Sequence, residues 1–384
     1  MIKGFISYKS SKIAFVIENF RMELFSENNN LLDSFINEYR LEHEFILCGQ
    51  CFGLGTQGQT ITFLVEYILG STCYLRCYHI NMIGSENEFD TIGFQSRFLD
   101  DVFRYKYNYI DKSRAGENLS VKSQCVYKFN YSMNNRQYGL EYRVGQDTRL
   151  GLLEDFDKRG ELLVSLHTNE IQEYNDITIV LYRFAMFMIS RADVPFKEII
   201  LYKNGIKHGW FYCPLISESA SSFKDFAFRD FDVMKYTPKI LNNISLDAGN
   251  EIKNSIPLGH LKSHELLFSP QRFIEQVISF EYLFDKLDRK RARSRGVTLK
   301  EELKIMFDKF PQLLNKTNIT SEMASEKIKE IRRVITHGYS YYYDFMDDSK
   351  LQFLILRFDE LILKMSLTWI GFTDEEIKDY PFVY

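Results

Sequence analysis

The pattern of apolar and polar positions in the first 230 or so residues is predicted to be mainly that of β-strands. Four segments rich in β-branched and aromatic residues are predicted as strands: 60–69, 71–83, 123–133 and 161–167. Segment 197–212 predicts a β-hairpin, because Asn204-Gly205 is a favoured two-residue turn between antiparallel strands. The period of segment 176–191 allows either a helix or a buried strand. We therefore expect a β-rich N-terminal module, whose strands could form a β-sandwich.

From residue 268 onward the apolar positions recur at intervals of three and four, which is the period of amphipathic helices. The stripes of three predicted helices are: Phe273, Val277, Phe280, Phe284 and Leu287; Ala324, Ile328, Ile331 and Ile335; and Leu351, Ile355, Phe358, Ile362, Met365 and Trp369. A shorter helix is predicted over 299–310, between the first and second of these. Four such helices with short connections predict an antiparallel bundle.

The chain of 384 residues is long for one hydrophobic core, so we expect more than one domain. The predicted class is α+β, with a β-rich N-terminal domain at 1–235, for which the family resemblance given below implies a sensing or regulatory role. A linker at 236–267 follows, and a helical domain occupies 268–384. The start of the chain lacks the apolar core of a signal peptide, and segment 177–189 is too short to span a bilayer. We therefore expect a cytoplasmic protein with no membrane partner.

The third predicted helix ends in EIRRVITHG, where Arg332 lies five positions before His337 and Gly338 is a typical helix stop. On an ideal helix His337 points away from the apolar stripe, with Arg333 close beside it and Arg332 at the flank. We therefore expect His337 to face a substrate or a second subunit. The alternative is that Arg332 is a solvated cation favoured by the helix dipole and His337 an ordinary C-cap residue.

A helical bundle with R-x(4–6)-H at the end of its third helix is similar to the HEPN superfamily. The string RRVITHG near the C-terminus, preceded by a large β-rich module, resembles ApeA-like HEPN proteins of bacterial anti-phage defence. The likeness covers about residues 268–384 and is much looser before them. HEPN motifs often have Asn, Asp or His directly after the arginine. Here that position is Arg333, which leaves open whether Arg332 or Arg333 acts.

The resemblance implies a metal-independent endoribonuclease that needs no cofactor and has a composite site at a homodimer interface. His337 would exchange protons with the ribose 2′-OH and the leaving 5′-oxygen, and Arg332 would grip the scissile phosphate. Arg333 would support the site, and Glu281 could hydrogen-bond an arginine of the motif. Cleavage through the 2′-OH would leave a 2′,3′-cyclic phosphate and spare DNA.

The resemblance also implies a toxin of abortive infection, with a phage-derived trigger acting at the N-terminal domain. Two other hypotheses remain. One is a catalytically silent HEPN module for dimerisation or RNA binding, which Arg333 in the usual polar position favours. The other is a β-sandwich binding protein with a helical oligomerisation tail.

Charge and cysteine content add two further candidates. The net charge is −4, so an RNA partner requires a local basic patch. The strongest candidate patch is segment 286–296, which could instead be an ordinary solvated loop. The residues proposed to bind RNA are: Arg289, Lys290, Arg291, Arg293 and Arg295. Four cysteines in two pairs could bind zinc or could be free thiols, some of them in the core: Cys48, Cys51, Cys73 and Cys77.

Overall fold

The computed structural model describes most of the chain as two compact units. The described residues are: 1–53, 56–82, 88–96, 124–146, 158–189, 196–214, 233–245, 269–292, 296–314, 318–338 and 348–378. The first unit comprises Met1–Tyr182 with Val194–Lys224, and the second comprises Arg183–Asp193 with Asp225–Tyr384. The first is rich in strands and the second in helices, which confirms the predicted α+β class and the order of its two parts.

The described strands of the first unit form one antiparallel sheet. In chain order they are: β1 (Ile2–Tyr8), β2 (Ser11–Glu18), β3 (Arg21–Phe25), β4 (Phe45–Gly53), β5 (Thr56–Leu69), β6 (Thr72–Asn81), β7 (Thr91–Gln95), β8 (Gln124–Met133), β9 (Arg136–Gln146), β10 (Lys158–Ser165), β11 (Glu198–Lys203) and β12 (Ile206–Tyr212). Their order across the sheet is β3-β2-β1-β4-β5-β6-β12-β11-β7-β10-β9-β8.

The first six strands close into a ring, because β3 pairs with β6 as well as with β2. Met22 shows this closure, since it lies opposite Ile17 on one side and Cys73 on the other. Alternate residues such as Phe15 and Phe63 are buried inside the ring. The first six strands therefore close on themselves rather than stack as two sheets, which differs from the sandwich arrangement, and the other six described strands continue the same sheet from β6.

Two local features of the first unit agree with the sequence. The hairpin β11–β12 turns at Asn204 and Gly205, whose φ angles of 51° and 75° are those of a type I′ turn. The described part of the segment that allowed a helix or a strand, residues 176–189, is helical. It belongs to α2 (Ile171–Ile189), which follows α1 (Asn29–Tyr39) in the chain and whose residues after Tyr182 belong to the second unit. Its Tyr174 is buried, with the ring centroid 6.1 Å from that of Phe211 on β12.

The described helices of the second unit include the four that the sequence predicted. They are: α3 (Val233–Ser245), α4 (Pro270–Leu287), α5 (Arg289–Ala292), α6 (Leu299–Lys309), α7 (Ser321–His337), α8 (Ser349–Trp369) and α9 (Asp374–Lys378). Helix α4 packs on α8, and α6 packs on α7, as in a helical bundle. Within the described ranges, every helix falls short of the length and apolar character needed to cross a bilayer.

Helix α3 lies in the segment that the sequence analysis assigned mainly to a linker. It packs on the C-terminal part of the helical unit, where the Asn243 Nδ2 donates to the Ile370 backbone oxygen at 3.1 Å. The ring of Tyr236 stacks on that of Phe372 with centroids 4.5 Å apart. Pro238 lies inside this helix, and because proline commonly marks a helix end, the helix was not predicted from the sequence.

Candidate functional site

The ends of α7 are fixed by local sequence. The Thr320 side chain caps the first turn by accepting from the Met323 backbone N–H at 3.2 Å, and Glu322 lies favourably in that turn. At the other end Gly338 adopts a φ of 63°, a left-handed conformation that suits glycine and ends the helix directly after His337. The predicted helix and its stop are therefore both confirmed.

The faces of α7 separate its core residues from the motif. Ile328 and Ile331 are 0% exposed, whereas Arg333 and His337 are exposed, as the angular argument predicted. Val334 is buried more deeply than the predicted Ile335, so the apolar stripe is rotated slightly toward Val334. The exposed end of α7 thus presents His337 and Arg333 together, away from the core of its own unit.

Arg332 instead contacts another helix of the same unit. Its Nη2 lies 3.2 Å from Oε1 of Glu281 on α4 and 3.4 Å from Oε2 of the same carboxylate. Both side chains are partly exposed, at 40% and 37%. Burial raises the pKa of Glu281, and the nearby Arg332 charge partly offsets that rise. The expected contact between Glu281 and an arginine of the motif is present, and that arginine is Arg332.

A second carboxyl belongs to this cluster and was not predicted. Glu302 on α6 is half-buried, and its pKa is raised to about 7 by burial and by the negative charge of Glu281, while Arg332 acts in the opposite direction. Its position beside the buried Leu299 and Leu303 on the same helix was a usable sequence signal. We call Glu281, Glu302 and Arg332 the acid–arginine cluster, which brings charges from α4, α6 and α7 together.

Replacing Glu302 by glutamine should flatten the dependence of stability on pH. The folded pKa of about 7 lies above the ordinary carboxyl value of about 4.3, so the folded chain binds this proton more tightly than the unfolded chain does. The stability due to that proton is full below the lower value and is lost as pH rises through about 7. Glu302→Gln should therefore raise the melting temperature relative to wild type more at about pH 8 than at about pH 5.

The measurement is a set of thermal unfolding curves between those two pH values. Glu275→Gln, at an exposed position of α4, is the matched control and should give a profile parallel to wild type. Parallel profiles for both variants would contradict the assigned protonation of Glu302.

The basic segment is only partly described. Lys290 and Arg291 are exposed on the short helix α5, and the Arg291 Nε lies 3.6 Å from the Asp288 carboxylate in a solvated pair that contributes little to stability. Arg289 belongs to the same helix by its backbone, and its side chain lies outside the description. Arg293 and Arg295 also lie outside the described residues. The described basic side chains are thus available to solvent, as a phosphate-binding patch requires.

The four cysteines considered for zinc do not lie on a common surface. Cys48 is exposed on β4, whereas Cys51, Cys73 and Cys77 are buried. Burial raises the pKa of Cys73 to about 12, which favours the neutral thiol over the thiolate that binds metal. Among the residues that the structure describes, no three His, Cys, Asp or Glu side chains gather as metal ligands would. In this part of the chain, the alternative of free thiols describes these cysteines better than a zinc site.

Comparison with known proteins adds no relative. The chain matches no protein-family model, no curated protein and no solved structure. The family resemblance therefore stays an expectation from the sequence.

Proposed function

We propose that this protein is a metal-independent endoribonuclease of the HEPN type, with its site formed where the ends of α7 from two subunits meet. The observation that supports this most is the position of His337. It is exposed at the capped end of α7, next to exposed Arg333 and opposite buried Ile328 and Ile331. A histidine that serves neither its own core nor a helix interior is suited to act on a bound molecule.

The proposed chemistry uses the RNA's own nucleophile. His337 of one subunit removes the proton from a ribose 2′-OH, whose oxygen attacks the adjacent phosphorus. As the O2′–P bond forms, the P–O5′ bond breaks, and His337 of the second subunit protonates the departing 5′-oxygen. An arginine neutralises the negative charge that develops on the phosphoryl oxygens. The product ends are a 2′,3′-cyclic phosphate and a 5′-hydroxyl, and no metal ion or other cofactor is required by these steps.

The proposed biological role is abortive infection. In this account a phage-derived trigger acts at the strand-rich unit and releases the ribonuclease, which arrests growth by cutting cellular RNA. Exposed Lys290 and Arg291 would draw the RNA backbone toward the helical unit. Overproduction in the presence of the trigger, supplied by phage infection, should then arrest growth for the wild-type chain and spare cells that make His337→Ala.

The direct test is incubation of purified protein with total cellular RNA in excess EDTA, with and without phage lysate. We expect cleavage by wild type in at least one condition and intact RNA with His337→Ala. Intact RNA in both conditions would contradict the proposal. It would favour a silent HEPN module, for which RNA binding should survive His337→Ala.

One observation favours that silent module as the second candidate. Arg332, which has the motif's spacing to His337, contacts Glu281 within its own unit. A guanidinium engaged by a carboxylate binds phosphate less readily, because the phosphate must compete with that carboxylate.

A further inference from the structure

We propose that the two adjacent arginines have separate tasks, an inference that rests on the proposed ribonuclease function. Arg333 contacts the scissile phosphate together with His337. Arg332 is a positioning residue, which fixes the end of α7 by its contact with Glu281. This assignment differs from the one that the motif's spacing alone would give, in which Arg332 grips the phosphate.

The geometry of α7 places Arg333, rather than Arg332, near His337 around the helix axis. Residues advance by about 100° along an α-helix, so Arg333, four positions before His337, lies only about 40° from it around the axis. Arg332, five positions before His337, lies about 140° away. Exposure agrees with these angles, since Arg333 and His337 are both exposed and Arg332 is partly buried. A single phosphate on the surface of α7 can thus meet Arg333 and His337 at once.

The charge around Arg332 comes from carboxyl groups, which disfavour a phosphate there. Its Nη2 lies within 3.4 Å of both oxygens of Glu281, and Glu302 is close enough for its charge to interact with both partners. A phosphodiester placed at Arg332 would approach two carboxyl groups of the acid–arginine cluster, and the ionised ones would repel it. The same contact joins α7 to α4, which is what a residue that sets the orientation of His337 needs.

A charge exchange separates the two tasks. In Arg332→Glu alone, the new carboxylate faces Glu281, and cleavage should fall at least about tenfold as α7 loses its tether. Adding Glu281→Arg restores an opposite-charge pair with the same net charge, so cleavage should return to within about threefold of wild type. Arg333→Ala should lower the rate of RNA cleavage by about 10²–10³-fold. Arg333→Lys should restore only part of that rate, because lysine cannot form the bidentate contact with phosphate.

The contradicting result is equally specific. If the exchanged pair stays as inactive as Arg333→Ala while its melting temperature matches wild type, Arg332 touches the substrate and the proposal is wrong. Should the exchanged pair melt early, the neutral pair Glu281→Gln with Arg332→Gln replaces it, since the amides can still hydrogen-bond. That variant should retain cleavage within about tenfold of wild type, and a larger loss in the folded variant overturns the assignment.

A binding experiment tests the inference without relying on cleavage. The probe is a 2′-O-methyl oligoribonucleotide, which has no free 2′-OH, and its affinity is measured over a range of salt concentrations. Arg333→Ala should reduce the slope of log affinity against log salt concentration by about one phosphate contact per site, and Arg332→Ala should leave that slope unchanged. No binding by wild type, or loss of the contact in Arg332→Ala instead, overturns the inference. Binding with the expected pattern but no cleavage of ordinary RNA would refute the ribonuclease and leave the assignment of the arginines intact.

Discussion

Replacing His337 by alanine should lower the rate of RNA cleavage by about 10²–10⁴-fold, the usual contribution of a general acid or base. The effect should be on chemistry rather than on folding, because His337 is exposed at the end of α7. Surface substitutions of this kind usually change stability by less than about 0.5 kcal/mol. The measurement is the single-turnover rate on one defined RNA, together with the thermal unfolding midpoint of each variant.

His43→Ala is the matched control for this prediction, since His43 is an exposed histidine of the strand-rich unit. It should cleave at the wild-type rate. Equal rates for His337→Ala and wild type would remove His337 from the reaction. Equal losses in both variants would point to a contaminating nuclease or to damage unrelated to the site.

Replacing Asp359 by alanine should destabilise the helical unit by about 3–5 kcal/mol, the usual cost of leaving one member of a buried ion pair alone. Arg272 on α4 and Asp359 on α8 are 4% and 2% exposed, and the Arg272 Nη2 lies 3.2 Å from the Asp359 Oδ1. The same Oδ1 accepts from the Gln276 Nε2 at 2.9 Å. Asp359→Ala therefore removes a carboxylate that two buried donors contact, and the α4–α8 packing should weaken.

The control for this prediction removes both charges. Arg272→Met combined with Asp359→Leu fills the space with apolar side chains, and such replacements of buried ion pairs are often neutral or stabilising. The buried Gln276 keeps one acceptor in this variant, because its Nε2 also lies 3.4 Å from the Ile355 backbone oxygen. Urea unfolding followed by circular dichroism should show a large loss for Asp359→Ala and a small change for the double variant. Similar large losses of unfolding free energy in Asp359→Ala and in the double variant would show that packing, rather than the unpaired charge, determines the effect.

The strands illustrate what a sequence specifies locally. The β-branched and aromatic content of four segments correctly located β5, β6, β8 and β10, and Asn204-Gly205 correctly located the β11–β12 turn. The closure of the ring was not predictable in this way. It depends on the pairing of β3 with β6, and no pattern within either strand specifies a partner so far along the chain.

In the candidate site, too, features within one helix were predictable from the sequence, and contacts between helices were not. Periodicity within α7 correctly placed His337 and Arg333 on the exposed face and ended the helix at Gly338. The buried Leu299 and Leu303 beside Glu302 could indicate that its side chain is partly buried, but its relation to Arg332 on another helix arises only from tertiary packing and was missed. Which arginine meets the substrate is likewise a tertiary question, since Arg332 is partly buried in contact with Glu281 of another helix, whereas its neighbour Arg333 is exposed.

The chemistry of the cut ends distinguishes attack by the RNA's own 2′-OH from attack by water. A defined RNA that wild type cleaves is compared, in excess EDTA, with the same RNA bearing a single 2′-deoxy nucleotide on the 5′ side of the cut. The account predicts a 2′,3′-cyclic phosphate on the unmodified product and loss of cleavage at the deoxy position, because the attacking 2′-OH is missing there. Cleavage at the deoxy position, or a 3′-hydroxyl end with a 5′-phosphate, would contradict the account.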